Sequence, residues 1–232
     1  MKSLAFSPAN YVIINKMSVQ YKILIVDDHP MMRKGMAMTL DEEMDFEVAG
    51  QANSAEEALS WMQNNEVDFA VIDISLPGMN GIELVKHIRQ MYPEVKMLVI
   101  SRHEEDLYAE RAIKAGARGY IMKVDAGEKV VQAVRTISRG GLYVSEKVSQ
   151  RILMQMTGGA DMDQDPIHQL SDRELEVFEL IGRGHNSKEI AEQLHVSVKT
   201  VETYRSRIKE KLDIEHSGQM VQRAVQWLSS KG

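Results

Sequence analysis

Short apolar runs alternate five times with longer segments of helical periodicity in the first 140 residues. The strand-length runs are predicted at 22–26, 46–50, 69–73, 96–100 and 118–122, and the helices at 31–40, 54–63, 81–90, 104–115 and 126–138. Strands that alternate with helices predict a parallel sheet with helices on both faces. Near-continuous apolar strands such as ILIV fit a sheet buried on both sides. The prediction is an α/β, (βα)5 doubly wound domain.

The last quarter of the chain predicts a small all-α domain of about four helices. Ser171 and Glu174 have the spacing of a capping box ahead of the first helix, and Asn186-Ser187 offers a cap to a short second helix. A tight connection at 195–197 leads into a longer helix at 198–212. Two helices joined by so short a turn predict a helix-turn-helix.

The two patterns are separated by a segment without apolar periodicity. Residues 155–168, QMTGGADMDQDPIH, contain two glycines, three aspartates and a proline, a composition typical of a linker. The predicted organisation follows, with ranges 1–17 for an N-terminal extension, 18–145 for the α/β domain, 146–167 for a helical tail and linker, and 168–232 for the helical domain. Whether translation starts at Met1 or Met17 stays open.

Composition narrows the class of protein. The 232 residues include no cysteine, which excludes disulfides, thiolate metal sites and a catalytic thiol. No apolar run reaches the roughly 18 residues of a membrane span, so we expect a cytoplasmic protein without membrane contact. The formal net charge is -6, but ten Lys and Arg balance ten Asp and Glu after residue 167. Within that neutral part, residues 199–211 are basic, and only this stretch predicts contact with an anion.

Polar residues follow four of the five predicted strands. Asp27 and Asp28 follow the first strand, Asp73 ends the third, Ser101 follows the fourth and Lys123 follows the fifth. Because parallel strands end at one edge of a sheet, where such folds bind ligands, these groups are expected to meet. Three carboxylates and one ammonium leave a negative cluster that a divalent cation would neutralise. Oxygen ligands without Cys favour Mg²⁺.

The loop after the first strand argues against a nucleotide or flavin site. Such a site uses a glycine-rich loop whose backbone N–H groups bind phosphate. The segment DDHPMMRKG has its only glycine late, and its carboxylates repel phosphate unless a cation intervenes. A flavodoxin-like cofactor domain is therefore disfavoured. His29 is expected near the acidic cluster without a direct role.

Four motifs resemble the receiver domain of bacterial two-component response regulators over about residues 20–140. They are Asp27-Asp28, DISLPGMNG around Asp73, VIS ending at Ser101, and GYIMK ending at Lys123. The resemblance implies that Asp73 accepts a phosphoryl group from the phosphohistidine of a sensor histidine kinase. It also implies Mg²⁺ contacts from Asp28, Asp73 and the backbone carbonyl of Ser75, with Asp27 assisting through water.

The same resemblance assigns roles to three further residues. Lys123 would neutralise the phosphoryl oxygens, since phosphoryl transfer depends mainly on positioning and charge stabilisation. Ser101 would donate to the bound phosphoryl group, and Tyr120 would rotate into the space that the moving loop leaves. Val124 stands after Lys123, where the family commonly has a proline, so no cis peptide bond is expected at this position.

The segment RELEVFELIGRGHNSKEIAEQLHVSVKTVETYRSRIKEKL resembles the LuxR-type helix-turn-helix. Both resemblances together indicate a response regulator of the NarL/FixJ type. The candidate DNA-binding residues are Lys199, Thr200, Glu202, Thr203, Arg205, Ser206, Arg207 and Lys209. Lys199 and Arg207 are the stronger candidates for contact with DNA phosphates. Glu202 either accepts a hydrogen bond from a cytosine amino group or disfavours, by charge repulsion, binding of the helix to DNA in a wrong register. Tyr204 replaces the family's common histidine and is expected to pack inward.

The final helix carries an apolar stripe with two possible uses. Its members are Met220, Val221, Ala224, Val225 and Leu228. The stripe either forms a dimer surface, as the resemblance implies, or completes the four-helix core.

The predicted function is a phosphorylation-controlled, sequence-specific DNA-binding transcription regulator. It is expected to act as a homodimer on a two-fold site in double-stranded DNA, and not as an enzyme beyond its own phosphorylation and slow dephosphorylation. A phosphohydrolase would need an acid two residues after the nucleophile, where this chain has Ser75. The alternative is an atypical regulator that binds DNA independently of phosphorylation and uses its receiver for dimerisation.

Overall fold

The computed structural model describes residues 20–103, 105–156 and 166–230. The predicted N-terminal extension, 1–17, and residues 157–165 of the predicted linker lie outside the described residues. No helix among the described residues is long and apolar enough to cross a membrane.

Five parallel strands form one sheet in the order β2-β1-β3-β4-β5. They are β1 (Tyr21–Val26), β2 (Phe46–Ala52), β3 (Phe69–Asp73), β4 (Lys96–Ser101) and β5 (Gly119–Met122). Five helices connect and follow them: α1 (Pro30–Asp41), α2 (Ala55–Met62), α3 (Gly81–Met91), α4 (Glu105–Ala115) and α5 (Ala126–Ser138). The predicted (βα)5 doubly wound fold is confirmed.

Alternate residues of β1 show why the central strands are apolar throughout. Ile23 and Ile25 pack on one face of the sheet with residues of α1 and α5. Leu24 and Val26 pack on the opposite face with residues of α2, α3 and α4. Because both faces are covered, the ends of the strands are the part of the sheet where polar side chains gather.

The sequence Ser54-Ala55-Glu56-Glu57 has the spacing of a capping box, which forms only in part at the start of α2. Ser54 Oγ accepts a hydrogen bond from Glu57 N at 3.1 Å. The Glu57 carboxylate, however, accepts from Asn53 N at 2.7 Å, one residue upstream of the cap. The Ser54 hydroxyl therefore caps the helix as in a capping box, but the Glu57 carboxylate accepts from the backbone of Asn53 and not from that of Ser54.

The described C-terminal region consists of helices joined by short turns. A helix α6 (Glu146–Met156) follows the sheet domain, and α7 (Asp172–Gly182), α8 (Ser187–Gln193), α9 (Val198–Lys211) and α10 (Ser217–Ser229) form the helical domain. The capping box at Ser171 and Glu174 is complete, and Asn186 caps α8. Phe178, Ile208 and Trp227 are among the buried core residues of this domain.

Helix α7 is buried along nearly its whole length. Its residues 172–181 are all buried, charged ones included. One side packs against α9 and α10. The other side forms hydrogen bonds to the α/β domain, so the two domains are docked against each other through this helix.

Candidate functional site

The strand ends bring the predicted acidic residues and the lysine into one cluster. Lys123 Nζ lies 2.8 Å from Asp27 Oδ2 and 2.7 Å from Asp73 Oδ2. Asp27, Asp73 and Lys123 are buried. A single ammonium thus bridges two carboxylates at the ends of different strands, while Asp28 lies beside them at the rim.

A glycine at the start of α3 allows this close packing. An added Cβ at Gly81 would lie 1.9 Å from the carbonyl oxygen of Asp73. Gly81 N donates to Ile74 O at 2.8 Å, and Asn80 caps the helix through Glu83 N at 2.8 Å. A side chain at position 81 would therefore displace the backbone of Asp73.

The carboxyl group of Asp73 lies in an unfavourable place for a charge. Burial raises its pKa, the Lys123 ammonium opposes that shift, and the Asp27 carboxylate adds to it. The oxygen Oδ1 of Asp73 is buried, and no residue in the described part of the chain forms a hydrogen bond to it. A buried carboxylate with one unsatisfied oxygen is a group that a cation or an electrophile would stabilise.

The donor set at this edge suits a hard cation. Ligand atoms of Asp27, Asp28, His29 and Asp73 all lie within 4.8 Å of one another. Three carboxylates exceed the one ammonium of Lys123 in charge, and carboxylate oxygens are preferred Mg²⁺ ligands. His29 is near the cluster as expected, with Nδ1 2.5 Å from Asp28 Oδ1. It therefore competes with a cation for that oxygen.

Ser75 lies beside this cluster and also touches a second loop. Together with Asp28 and Asp73, it lines a cavity of about 240 Å³. Its hydroxyl lies 2.9 Å from Nε2 of His103, which follows β4. The loop after β3 and the loop after β4 are thus in direct contact.

The two predicted switch residues converge on His103. Ser101 Oγ accepts a hydrogen bond from His103 N at 3.0 Å. The buried Tyr120 hydroxyl donates to His103 O at 2.7 Å. Burial raises the pKa of Tyr120 far above its usual range, so this hydroxyl stays a donor. The sequence analysis did not identify His103, for which the only signal is its position two residues after Ser101.

His103 also reaches the helical domain. Its Nδ1 lies 2.8 Å from Glu179 Oε2, and its ring stacks on Tyr108 at 4.3 Å. The Tyr108 hydroxyl donates to the same Glu179 oxygen at 3.1 Å. Burial opposes both charges, but the hydrogen bond and the mutual attraction outweigh it: the pKa of His103 is raised, and that of Glu179 is lowered to about 2.

A second contact joins α7 to the loop after Asp73. The guanidinium of Arg173 donates to the carbonyl oxygens of Leu76 at 2.6 Å and Gly78 at 2.7 Å. The same group pairs with Glu176 at 2.6 Å. Burial raises the pKa of Glu176, although the charges of Arg173 and His103 oppose the shift. Gly78 has a φ of 72°, a conformation that suits glycine.

A third contact lies at the start of the same helix. Asp172 accepts from Lys86 of α3 at 2.9 Å and from Arg111 of α4 at 3.0 Å. Arg111 also donates to the carbonyl of Leu170 at 2.8 Å. The sequence analysis missed this polar side of α7 because charged residues at helical spacing are typical of a solvated face.

Helix α9 turns its predicted DNA-binding residues mostly to solvent. Lys199, Glu202, Thr203, Ser206 and Arg207 are exposed, whereas Thr200, Arg205 and Lys209 are half-buried. Glu202 Oε1 accepts a hydrogen bond from Ser187 Oγ of α8 at 2.5 Å. Arg205 keeps only 16% of its side chain exposed, with Nε 3.9 Å from that same oxygen. Tyr204 packs partly buried against the core, as expected.

The structure supports the core use for one half of the stripe on α10 and leaves the dimer use of the other half a prediction. Met220 and Ala224 are buried in the core of the helical domain. Val221 and Val225 stay 41% and 44% exposed. The inner half completes the core, and the outer half leaves apolar side chains at the surface of the helical domain.

Comparisons with known proteins agree with this division into two domains. Residues 23–135 match the family described as response regulator receiver domain. Residues 168–224 match the family described as bacterial regulatory proteins, luxR family.

Relatives span nearly the full length of the chain. The oxygen regulatory protein NreC of Staphylococcus carnosus is 34% identical over 209 residues, covering 88% of this chain and 96% of the relative. The response regulator UvrY of Escherichia coli K12 is 32% identical over 203 residues, covering 88% and 93%.

Solved structures share the fold. RcsB of Salmonella enterica serovar Typhimurium, bound to the promoter rprA in the presence of phosphomimetic BeF3-, has a TM-score of 0.58 at 21% identity, covering 88% of this chain and 97% of that one. A LuxR-family two-component response regulator from Aurantimonas sp. SI85-9A1 has a TM-score of 0.54 at 32% identity, covering 60% and 99%.

Proposed function

We propose a function from the premise that this chain belongs to the response regulators of the NarL/FixJ type, which join a receiver domain to a LuxR-type DNA-binding domain. It is a transcription regulator that a sensor histidine kinase controls by phosphorylating Asp73. The observation that carries the proposal is the Lys123 ammonium, 2.7 Å from one Asp73 oxygen, while the other oxygen accepts no hydrogen bond from any residue that the structure describes.

Asp73 is the nucleophile of the proposed reaction. One of its oxygens forms a bond to phosphorus as the bond from phosphorus to the donor's imidazole nitrogen breaks. Lys123 orients the carboxylate and neutralises charge on the transferred group. Asp27, Asp28, Asp73 and the carbonyl of Ser75 would hold Mg²⁺, which supplies further neutralisation of the phosphoryl oxygens.

Ser101 and Tyr120 transmit the change. A phosphoryl group adds negative charge and acceptor oxygens at Asp73. Ser101 is the hydroxyl donor at the neighbouring strand end, and its present partner is His103 N. When Ser101 turns toward the phosphoryl group, the loop that holds His103 and receives the Tyr120 hydroxyl moves with it.

The helical domain binds double-stranded DNA through α9. Its exposed outer face combines short polar side chains with Lys199 and Arg207, which suits phosphate contact beside base edges. We propose a cytoplasmic protein that acts as a homodimer when phosphorylated, with Val221 and Val225 of α10 contributing to the dimer surface. It has no enzymatic role beyond accepting and slowly losing its own phosphoryl group.

One observation favours a second candidate function. The outer face of α9 is exposed in the docked structure, so the receiver does not cover it. A regulator built in this way can bind DNA without phosphorylation and use its receiver for dimerisation. The complete acidic site favours the first candidate.

Intact mass tests the first step. Wild type and Asp73→Asn are incubated with Mg²⁺ and acetyl phosphate, and the mass of each is measured. We expect wild type alone to gain one phosphoryl group. An equal gain in both proteins would place the phosphoryl group elsewhere, and no gain in folded wild type would contradict phosphorylation control.

A further inference from the structure

A cavity lies at the end of the receiver sheet opposite to Asp73. Its volume is about 410 Å³, and it is formed where α3 and α5 end and where β4 and β5 begin. We propose that this cavity binds a nucleoside monophosphate, a small ligand that joins a planar ring to a doubly charged phosphate. The site goes beyond the proposed phosphorylation of Asp73 and does not depend on it.

The cavity is separate from the phosphoacceptor site. Lys96 lines the cavity and begins β4. Asp73 pairs with Ile100, near the other end of the same strand. A rise of about 3.3 Å per residue puts about 13 Å between these two positions along the sheet. No residue assigned above to phosphoryl transfer, metal binding or DNA contact lines this cavity.

Three cationic side chains converge on the cavity: Arg89, Lys96 and Arg118. None of them forms an ion pair with a carboxylate of the described residues, although residues 1–167 carry the whole net charge of -6. One carboxylate, that of Glu94, lines the same cavity. Three cations against one carboxylate leave a net charge of +2, which matches the charge of about -2 on a phosphate monoester.

Helix capping accounts for only part of this arrangement. Arg89 donates to the carbonyl of Lys114 at 3.4 Å, and Lys96 donates to that of Ser138 at 2.6 Å, both near helix ends. A guanidinium has five donors and an ammonium has three, so each keeps donors for a ligand. The Arg118 guanidinium forms no hydrogen bond with any residue that the structure describes. Capping therefore gives Arg118 no role.

The backbone around the two arginines is held in place. Arg118 N donates to Met97 O at 2.7 Å, and Arg118 O accepts from Tyr143 N at 2.9 Å. Gly116, with a φ of 127°, lies against the stem of Arg89, where an added Cβ would overlap that side chain. A site whose groups are already positioned loses less entropy when a ligand binds.

The buried part of the lining is apolar. Val95, Met97 and Ile137 are buried, and Leu142 is 44% exposed. Apolar side chains suit a flat ring, and a guanidinium stacks on such a ring. The volume of about 410 Å³ lies within the range of about 300–1,000 Å³ that is usual for small-molecule sites.

The chemistry of the lining selects both halves of the ligand. Arginine and lysine donors bind phosphate oxygens. The Glu94 carboxylate accepts hydrogen bonds, which suits the hydroxyl groups of a ribose. Free phosphate would leave the apolar side chains uncovered, and an uncharged nucleoside would leave the three cations without a partner.

Calorimetric titration of the full chain gives the first test. The probes are adenosine and guanosine monophosphate, the two nucleosides and inorganic phosphate, all without Mg²⁺ so that the acidic site at Asp73 recruits no phosphate through a metal. We expect at least one monophosphate to bind with a Kd below about 1 mM. Its nucleoside and free phosphate should each bind at least about 10-fold more weakly. No binding by either monophosphate, or equal binding by its nucleoside or by phosphate, would overturn the proposal.

Substitution of the unpaired arginine gives the second test. Arg118 is exposed, so Arg118→Ala is expected to keep the fold. Its affinity for the monophosphate should fall at least about 10-fold, the usual effect of losing a hydrogen bond to a charged group. Arg118→Lys should fall less, because it keeps the charge without the planar fork. Lys34→Ala, which removes an exposed cation of α1, is the matched control and should bind like wild type. Equal affinity in Arg118→Ala and wild type would refute the site.

Amide NMR signals locate the bound monophosphate. We expect the largest shifts at residues that line the cavity, among them Gly116, Arg118 and Gly140. Largest shifts at the strand ends beside Asp73 would mean binding at the acidic site, and largest shifts along α9 would mean binding at the DNA-binding face. Either of these results would contradict the proposed site.

Discussion

The imidazole of His103 lies 2.8 Å from the carboxylate of Glu179, and this contact joins the receiver to the DNA-binding domain. The backbone carbonyl of His103 accepts a hydrogen bond from the Tyr120 hydroxyl, and its backbone N–H donates one to Ser101 Oγ. A movement of either switch residue therefore reaches α7 through a single intervening residue.

Replacing His103 should loosen the docked arrangement. His103→Ala removes one partner of Glu179, so among the described residues this buried carboxylate keeps only the Tyr108 hydroxyl and the Arg183 guanidinium. We expect faster proteolytic cleavage in the segment between the domains, measured by mass spectrometry of limited digests. His87→Ala, at an exposed position of α3, is the matched control. Equal cleavage rates in His103→Ala and wild type would show that this contact does not hold the domains together.

Gly81 should tolerate no side chain. In Gly81→Ala the new Cβ would lie 1.9 Å from the Asp73 carbonyl, so the start of α3 must shift. We expect the free energy of unfolding to fall by about 1–3 kcal/mol, the usual cost of forcing extra atoms into a packed site. Chemical denaturation measures it. Gly127→Ala is the control, because beyond its own turn a Cβ there meets no atom of the described residues within 4 Å. A stable Gly81→Ala with unchanged phosphorylation would refute the tight packing.

Stability should depend on pH through Glu179. Its pKa is lowered to about 2 in the folded chain, from an ordinary value of 4.5. A lowered acid pKa stabilises the fold fully above the ordinary value, and that stabilisation is lost as pH falls toward the folded one. Between pH 5 and about 3, wild type should therefore lose more unfolding free energy than Glu179→Gln. Denaturation series at each pH measure this difference, and parallel curves for the two proteins would contradict it.

Residues on α9 should divide into those that read sequence and those that bind phosphate. Lys199→Ala and Arg207→Ala should weaken binding to all sequences alike, each reducing the slope of log affinity against log salt by about 0.9. Glu202→Ala should instead change base preference at one position of the site, and Ser187→Ala should weaken that preference because Ser187 holds the carboxylate. Binding to randomised DNA pools distinguishes the two effects. A uniform loss in Glu202→Ala would show that Glu202 reads no base.

The fold and the acidic cluster were predictable because local patterns determine them. Strand-length apolar runs predicted the sheet, and the rule that parallel strands end at one edge predicted that Asp27, Asp73 and Lys123 meet. The structure brings these three side chains into direct contact. The inward packing of Tyr204 was also expected from the sequence, and the structure packs this side chain against the core.

The domain contact was not predictable in this way. Arg173, Glu176 and Glu179 lie on the polar side of an amphipathic helix, a pattern that ordinarily indicates solvent. Nothing in their spacing shows that a second domain covers them. The role of His103 could not be predicted for a related reason. Its partners Ser75 and Glu179 are distant in sequence, and only tertiary packing brings them together.

The central claim is that phosphorylation of Asp73 controls DNA binding. The most direct measurement is the affinity of wild type and Asp73→Asn for a DNA site selected from a random pool, at fixed salt, with and without acetyl phosphate and Mg²⁺. Sedimentation of the same samples reports assembly. We predict that the phosphodonor makes wild type bind more tightly and as a dimer while Asp73→Asn stays unchanged. Equal affinity of phosphorylated and unphosphorylated wild type would contradict this account and favour binding independent of phosphorylation.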